Sequence, residues 1–287
     1  MSDQALEMHI PRKGATSVLS AVERRLPPPA AGEVRVAIEA VGVAYADIMM
    51  RQGVYAGHKP PVTPGYDLVG RVEAIGPEVS DLAIGQRVAG ITVFGSYATR
   101  RNVAARWLVP APEGVDAGRL VAAVLNGVTA WQMLHRVANP APGEWVLVHG
   151  AGGGVAAAFD HLGGKHFKTV SMPALRPGGV GVFYGAYDVS RGGKVNPLAV
   201  ADLLLNARFS SLDLFAKGQG VVAYSSEPWR DGRPAAYRSD LSTVLKLVAD
   251  GVLTPEVGAT YPLRAAADAH RALEARSVTG KIVLLND

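Results

Sequence analysis

Cysteine is absent from the 287 residues of this chain. That excludes disulfides, cysteine-built zinc sites and thiol nucleophiles. Long apolar runs are missing too. No uninterrupted stretch reaches the roughly 18 residues of a membrane-spanning helix, so no membrane partner is expected. Basic residues form no block. They pair at Arg24-Arg25 and Arg100-Arg101 and are otherwise scattered, for a net charge of +4. A solvated surface explains that pattern better than a nucleic-acid groove. Met1 to Arg12 lacks the basic-then-apolar pattern of a secretory leader, which favours the cytoplasm. Charged residues make up only 19% and apolar ones 48%, so the chain can bury a core.

What is there begins as β structure. Val34, Val36, Ile38 and Ala40 alternate with Arg35, Ala37, Glu39 and Val41, the pattern of a half-buried strand. A short helix is expected around Ala46 to Met50, and strands over Leu68 to Ile75 and Gln86 to Val93. From Asp116 the pattern changes. Ala117 to Val137 reads as helix, with a break predicted at Asn126-Gly127. Phe167 to Leu175 fits a helix, and Gly181 to Tyr184 and Val221 to Ser225 fit strands. Asn196 can cap a helix with Pro197 at its first position and Leu198, Ala201, Leu204 and Leu205 on one face. Tyr237, Leu241, Val244, Leu245 and Val248 have helical spacing, and Ile282 to Leu285 closes the chain as a strand.

Between these parts lies a strand, Trp145 to His149, that enters Gly150-Ala151-Gly152-Gly153-Gly154-Val155. A glycine turn after a strand is how a dinucleotide-binding half begins. It should open a helix whose N-terminus receives the pyrophosphate, followed by a second strand that reads the ribose. Here the chain passes directly into Ala156 to Gly164, which reads as a later strand. Two βαβ units, on the order of 50–60 residues, are absent. In a sheet of order 3-2-1-4-5-6 that loss leaves strands 1, 4, 5 and 6. A parallel crossover needs about a dozen residues. The Trp145 strand is therefore expected to run antiparallel, to leave the sheet or to pair in another subunit.

Five stretches carry a family resemblance over nearly the whole chain. They are Gly42-Val43-Ala44-Tyr45-Ala46-Asp47 with Arg51, Gly53 and Tyr55; Pro64 to Gly70; Gly127-Val128-Thr129-Ala130; Leu175 to Gly179; and Gly280 to Leu284. In this order they resemble the medium-chain dehydrogenases/reductases, in the zinc-free quinone oxidoreductase branch. The resemblance implies an α/β plus β fold. A GroES-like β domain (1–122 and 254–287) would hold an inserted, truncated Rossmann-like domain (123–253). It also implies hydride transfer from NADPH to a quinone or enone. A homodimer acting on a small-molecule substrate is expected. Tyr66 follows Gly65 where zinc enzymes of the wider family place a histidine, so no metal is expected.

The candidate residues follow from that resemblance. Tyr45 and Tyr55 match the substrate cleft, where a phenol can polarise a carbonyl; packing in the β domain is the alternative. Asp47 can be a general base if burial raises its pKa, or a helix cap. Tyr66, Phe94, Asn126, Thr129 and Tyr184 are expected on the substrate side, with helix or core packing as their alternatives. Asp160 and His161 are neighbours on a strand and face apart, which disfavours a catalytic pair. Trp107 and Phe215, with Phe94, could wall a pocket, with ordinary core the favoured expectation for each. Gly150, Gly153 and His149 are vestiges of the nucleotide turn, and Ala44 stands where the family places asparagine near the nicotinamide ribose.

Three functions are open at this point. The favoured expectation is a cofactor-independent cyclase or isomerase acting on an enone-type small molecule, with NADPH binding lost. The first alternative is an NADPH-dependent quinone or enone reductase with a compact or subunit-shared cofactor site. The second is a non-catalytic binding protein.

Overall fold

The computed structural model describes residues 3–55, 57–148, 154–191 and 194–286. The chain divides into two compact units, Met1–Val128 with Glu227–Asp287, and Thr129–Ser226.

The first unit opens with a hairpin of β1 (Gln4–His9) and β2 (Ser20–Arg25). Then come β3 (Glu33–Gly42), α1 (Tyr45–Gln52), β4 (Asp67–Ile75), β5 (Arg87–Ile91), β6 (Arg100–Ala104) and β7 (Leu108–Pro110). α2 (Ala117–Gln132) leads into the second unit. There β8 (Val146–Val148), β9 (Val155–Asp160), α3 (Gly164–His166) and β10 (Leu175–Phe183) are followed by β11 (Ser190–Arg191), β12 (Lys194–Val195), α4 (Pro197–Asn206), α5 (Ser211–Lys217) and β13 (Gly220–Ala223). The chain returns through α6 (Ser226–Gly232), α7 (Pro234–Ala249), β14 (Val257–Pro262), α8 (Ala266–Glu274) and β15 (Lys281–Leu285).

β3 organises the first unit. One of its edges pairs with β4, and the other is shared by β6, opposite residues 33–37, and β15, opposite residues 40–42. The last strand of the chain is therefore a neighbour of one of the first. The sheet order is β14-β15-β3-β4-β5-β7. Val34, Val36, Ile38, Leu68, Val88, Leu108, Ile282 and Leu284 make its core. Arg35 breaks the expected alternation. It is buried, but its guanidinium donates to Asp3 Oδ1 and to the Pro27 carbonyl, which offsets the cost of burial. The β1–β2 hairpin lacks a clean alternation and was not legible in the sequence.

α7 belongs with this unit rather than with the inserted one. Its buried Tyr237 hydroxyl accepts from Ile91 N at 2.8 Å and donates to the Trp107 carbonyl at 3.1 Å. α2 runs unbroken through Asn126-Gly127, contrary to the break expected there. A Cβ on Gly127 would lie 2.7 Å from Val244 Cγ1, so this glycine admits α7 against α2 rather than ending a helix.

The second unit holds a four-stranded sheet of order β13-β10-β9-β8, parallel throughout. β9 is buried along its length, as a parallel strand covered on both faces should be. The expectations for the Trp145 strand are corrected: β8 stays in the sheet and runs parallel, with Val146 opposite Ala157 and Val148 opposite Phe159. The reason is its length. With three residues paired, Val148 lies only four residues past Val155 in register, about 13 Å along the strand. Seven Cα steps reach up to about 24 Å. Gly150, Gly153 and His149 lie outside the described residues.

Asn196 caps α4 as expected, accepting from the backbone of Leu198 and Ala199, with Pro197 first in the helix. The apolar face of that helix is not covered within the chain. Leu198, Leu204 and Leu205 are exposed, as are Leu212 and Phe215 on α5, so Phe215 is not a core residue. Among the described residues no helix is long and apolar enough to cross a membrane.

Candidate functional site

Asp47 sets the local structure of the first unit. Its carboxylate accepts from Ala44 N at the start of α1 and from Gly65 N, each at 2.8 Å, and lies 3.4 Å from the Tyr97 hydroxyl. The side chain is fully buried. Burial pushes its pKa up, against the two backbone N–H groups that lower it, to about 7. It ties the turn that carries Tyr45 to the loop that carries Tyr66. Behind it the Tyr97 hydroxyl lies 3.1 Å from His270 Nε2, and both rings are buried.

Gly65 has no alternative residue at this junction. Its φ is +111°, and a Cβ would lie 2.4 Å from Tyr97 N and 2.7 Å from Ser96 N. We expect Gly65→Ala to cost about 3 kcal/mol, from backbone strain and overpacking together. Urea unfolding checks this, and an unchanged midpoint would contradict it.

Tyr66 is buried, and its hydroxyl meets that of Tyr55 at 3.0 Å. Tyr55 sits just after the left-handed Gly53 that ends α1, and its ring is half-buried. Burial, and then the adjoining Tyr66, push the Tyr55 pKa far up, so it stays a neutral phenol. His58 stacks on Tyr55 at 5.9 Å and tilts over Phe94 at 4.7 Å between ring centres. Its Nε2 lies 3.3 Å from Glu227 Oε1. Arg101 donates to the Phe94 carbonyl and covers that ring at 5.2 Å. Burial lowers the Arg101 pKa to about 10. Val93, just before Phe94, holds φ at +72°, rare for a β-branched residue, and donates its N–H to the Tyr66 carbonyl at 2.9 Å.

The first unit thus brings Tyr55, Tyr66 and Phe94 together through His58. Tyr45 is half-buried at the first position of α1, and Asn126 is exposed on α2. His58 and Glu227 were missed in the sequence. They lie 169 residues apart, and no local spacing signals such a pair.

In the second unit Thr129 is half-buried on α2. Tyr184 follows the carboxyl end of β10, and its N–H donates to the Asp160 carbonyl at 3.0 Å. Burial, then Asp160, raise its pKa. His161 follows the end of β9, with its ring 6.0 Å from Tyr184 and 5.2 Å from Tyr187. Asp160, the last residue of β9, has other partners. It accepts from Leu162 N and Gly163 N at 2.8 Å, from Ser171 Oγ at 2.5 Å, and faces His166 Nδ1 at 2.7 Å. Burial pushes its pKa up, but the Ser171, Gly163 and His166 bonds outweigh it and hold the carboxyl below its ordinary value.

A mostly antiparallel β unit interrupted by a parallel sheet is the plan of a medium-chain dehydrogenase/reductase. Residues 30–113 match the GroES-like domain of alcohol dehydrogenases, and residues 135–284 match the family described as zinc-binding dehydrogenase. The chain belongs to that zinc-binding dehydrogenase family.

A mycocerosic acid synthase-like polyketide synthase of Mycobacterium tuberculosis is 31% identical over 90% of this chain, which spans 14% of that protein's length. A 2-haloacrylate reductase from a Burkholderia species is 29% identical over 324 aligned positions, covering 96% of this chain and 97% of that one. About 48 of those positions therefore have no residue in this chain. The Escherichia coli quinone oxidoreductase, solved in complex with NADPH, superposes with a TM-score of 0.80 at 22% identity, covering 98% of this chain and 99% of that one.

These relatives correct two expectations. A reductase aligned along nearly its whole length, and a fold shared with an oxidoreductase solved with NADPH, overturn the cofactor-independent cyclase or isomerase and the loss of cofactor that went with it.

The residues here do not fit the zinc of the family's name. There is no cysteine, Tyr66 follows Gly65, and among the described residues no three His, Asp or Glu side chains are grouped to hold a metal. For a nicotinamide nucleotide the fit is divided. β9, β10 and β13 present a continuous row of parallel carboxyl ends. The strand that would read the adenosine ribose has no place in the six residues between β8 and β9.

Proposed function

We propose that the chain is an NADPH-dependent reductase of a small quinone or an activated alkene such as an enone, with a compact cofactor site. What carries the reading is the reductase relative that matches 97% of its own length at 29% identity. When bound, the nucleotide supplies a hydride. Tyr184 and Thr129 are the second unit's candidates to hold its nicotinamide end.

The chain's own groups do the rest. As hydride reaches the substrate, charge builds on its carbonyl oxygen, and a hydrogen-bond donor aimed there lowers the barrier. Tyr55 is that donor in this reading. If Tyr66 donates to Tyr55, the Tyr55 proton is left for the substrate. Phe94 and His58 give a flat aromatic wall for a conjugated ring, and Glu227 holds the imidazole. Asp47 acts as a positioning residue for the turn beneath Tyr45, because both its oxygens are engaged. The test is NADPH oxidation, followed by absorbance, with a benzoquinone, an enone and a 2-haloacrylate in turn. Turnover of at least one supports the reading. No oxidation with any of them, and no NADPH binding by calorimetry, ends it.

The exposed leucines of α4 and the exposed Leu212 and Phe215 of α5 support a homodimer, since large apolar side chains left uncovered in this number mark an interaction face. We expect light scattering to give twice the chain mass, and Leu205→Glu with Phe215→Glu to return it to one. A monomeric wild-type protein would refute this.

A further inference from the structure

A doubly wound sheet is made of two mononucleotide-binding halves. One of them is whole in this chain. β9, β10 and β13 are adjacent and parallel, with helical turns over 164–174 and helices α4 and α5 in the connections. The other half is reduced to β8. The roughly 48 positions that the haloacrylate reductase has and this chain lacks match more than one βαβ unit of about 30 residues. The adenosine end of a dinucleotide has lost its strand and its helix. The nicotinamide end has lost neither.

The whole half carries a feature suited to a flat ring. His161, Tyr184 and Tyr187 cluster at the carboxyl ends of β9 and β10, where ligands of such sheets bind. The Tyr187 N–H donates to the His161 carbonyl at 3.0 Å, which fixes the loop to the strand end. All three residues are partly exposed. The Asp160 carboxylate at the end of β9 is engaged with the loop and with Ser171.

We propose that this chain recognises its hydride donor by the nicotinamide mononucleotide end alone, against the His161, Tyr184 and Tyr187 rings. The proposal rests on the reductase reading. Reduced nicotinamide mononucleotide then serves as well as the dinucleotide, and the phosphate that separates NADPH from NADH goes unread.

Titration calorimetry of the full chain tests this with NADPH, NADH and reduced nicotinamide mononucleotide. An adenosine bisphosphate that mimics the adenosine end of NADPH serves as competitor. The three reduced donors should bind within about threefold of one another. The competitor should displace none of them. His161→Ala and Tyr187→Ala should weaken all three by roughly tenfold, the scale of one lost stacking contact. NADPH binding more than about tenfold tighter than the mononucleotide, or displacement by the bisphosphate, overturns the proposal and leaves the reductase reading standing. Failure of all three donors to bind overturns both.

Discussion

Tyr55→Phe should lower kcat/KM by about 10²–10³ while leaving the fold intact, the usual loss when one donor to a developing oxyanion is removed. The substitution keeps the ring that stacks on His58 and removes only the hydroxyl that meets Tyr66 at 3.0 Å. The loss should fall mainly on kcat, because the bond strengthens as charge develops. Tyr66→Phe should have a smaller effect, about tenfold, since it removes the partner of the donor rather than the donor. The pH profile adds a second readout. Burial and Tyr66 hold the Tyr55 pKa above that of an ordinary phenol. Tyr55 should therefore contribute no alkaline limb to kcat/KM below about pH 10. A Tyr55→Phe protein with wild-type kcat would remove this residue from the mechanism.

The sequence was informative where one residue type had one local job. The apolar spacing of α7 and the Asn196-Pro197 cap of α4 each depend on neighbours within a few residues, and each stands in the structure, whereas β3 forms where expected but buries Arg35 and Val41 on the face expected to be wet. The order of the inserted sheet was legible as well, because a family pattern fixes which strands remain. β8 was misread for a physical reason. The dozen-residue rule for parallel crossovers assumes strands of ordinary length, and a three-residue strand needs far less return. Gly127 was misread because a glycine that ends a helix and one that admits another helix look alike in sequence. Only Val244, 117 positions away, tells them apart. The candidate site was half legible. Tyr55 and Tyr66 lie in the stretches that carry the resemblance, whereas Phe94 lies outside them and His58 and Glu227 meet only through folding.

Asp160→Ala should destabilise the second unit by about 3–5 kcal/mol, the range for removing one member of a buried charged cluster. The carboxylate is completely buried, and four donors from the segment after β9 converge on it. Alanine leaves two backbone N–H groups and the Ser171 hydroxyl without this acceptor, and buried polar groups stranded in this way cost more than the bonds had gained. The unit has roughly 100 residues, so about 3 kcal/mol corresponds to a fall of roughly 15 °C in its Tm. Its core includes Leu147, Val155, Ala158, Phe167, Met172, Ala174 and Leu175. The pH dependence gives the sign. The folded pKa of Asp160 lies below its ordinary value, so its contribution is full above the ordinary carboxylate range and is lost as pH falls through the depressed folded value. The difference between wild type and Asp160→Ala should therefore be largest near neutrality and shrink below about pH 4. Thermal unfolding by circular dichroism at neutral and acid pH, with limited proteolysis to show which unit opens first, checks both. A difference independent of pH would mean that Asp160 acts by shape and not by charge.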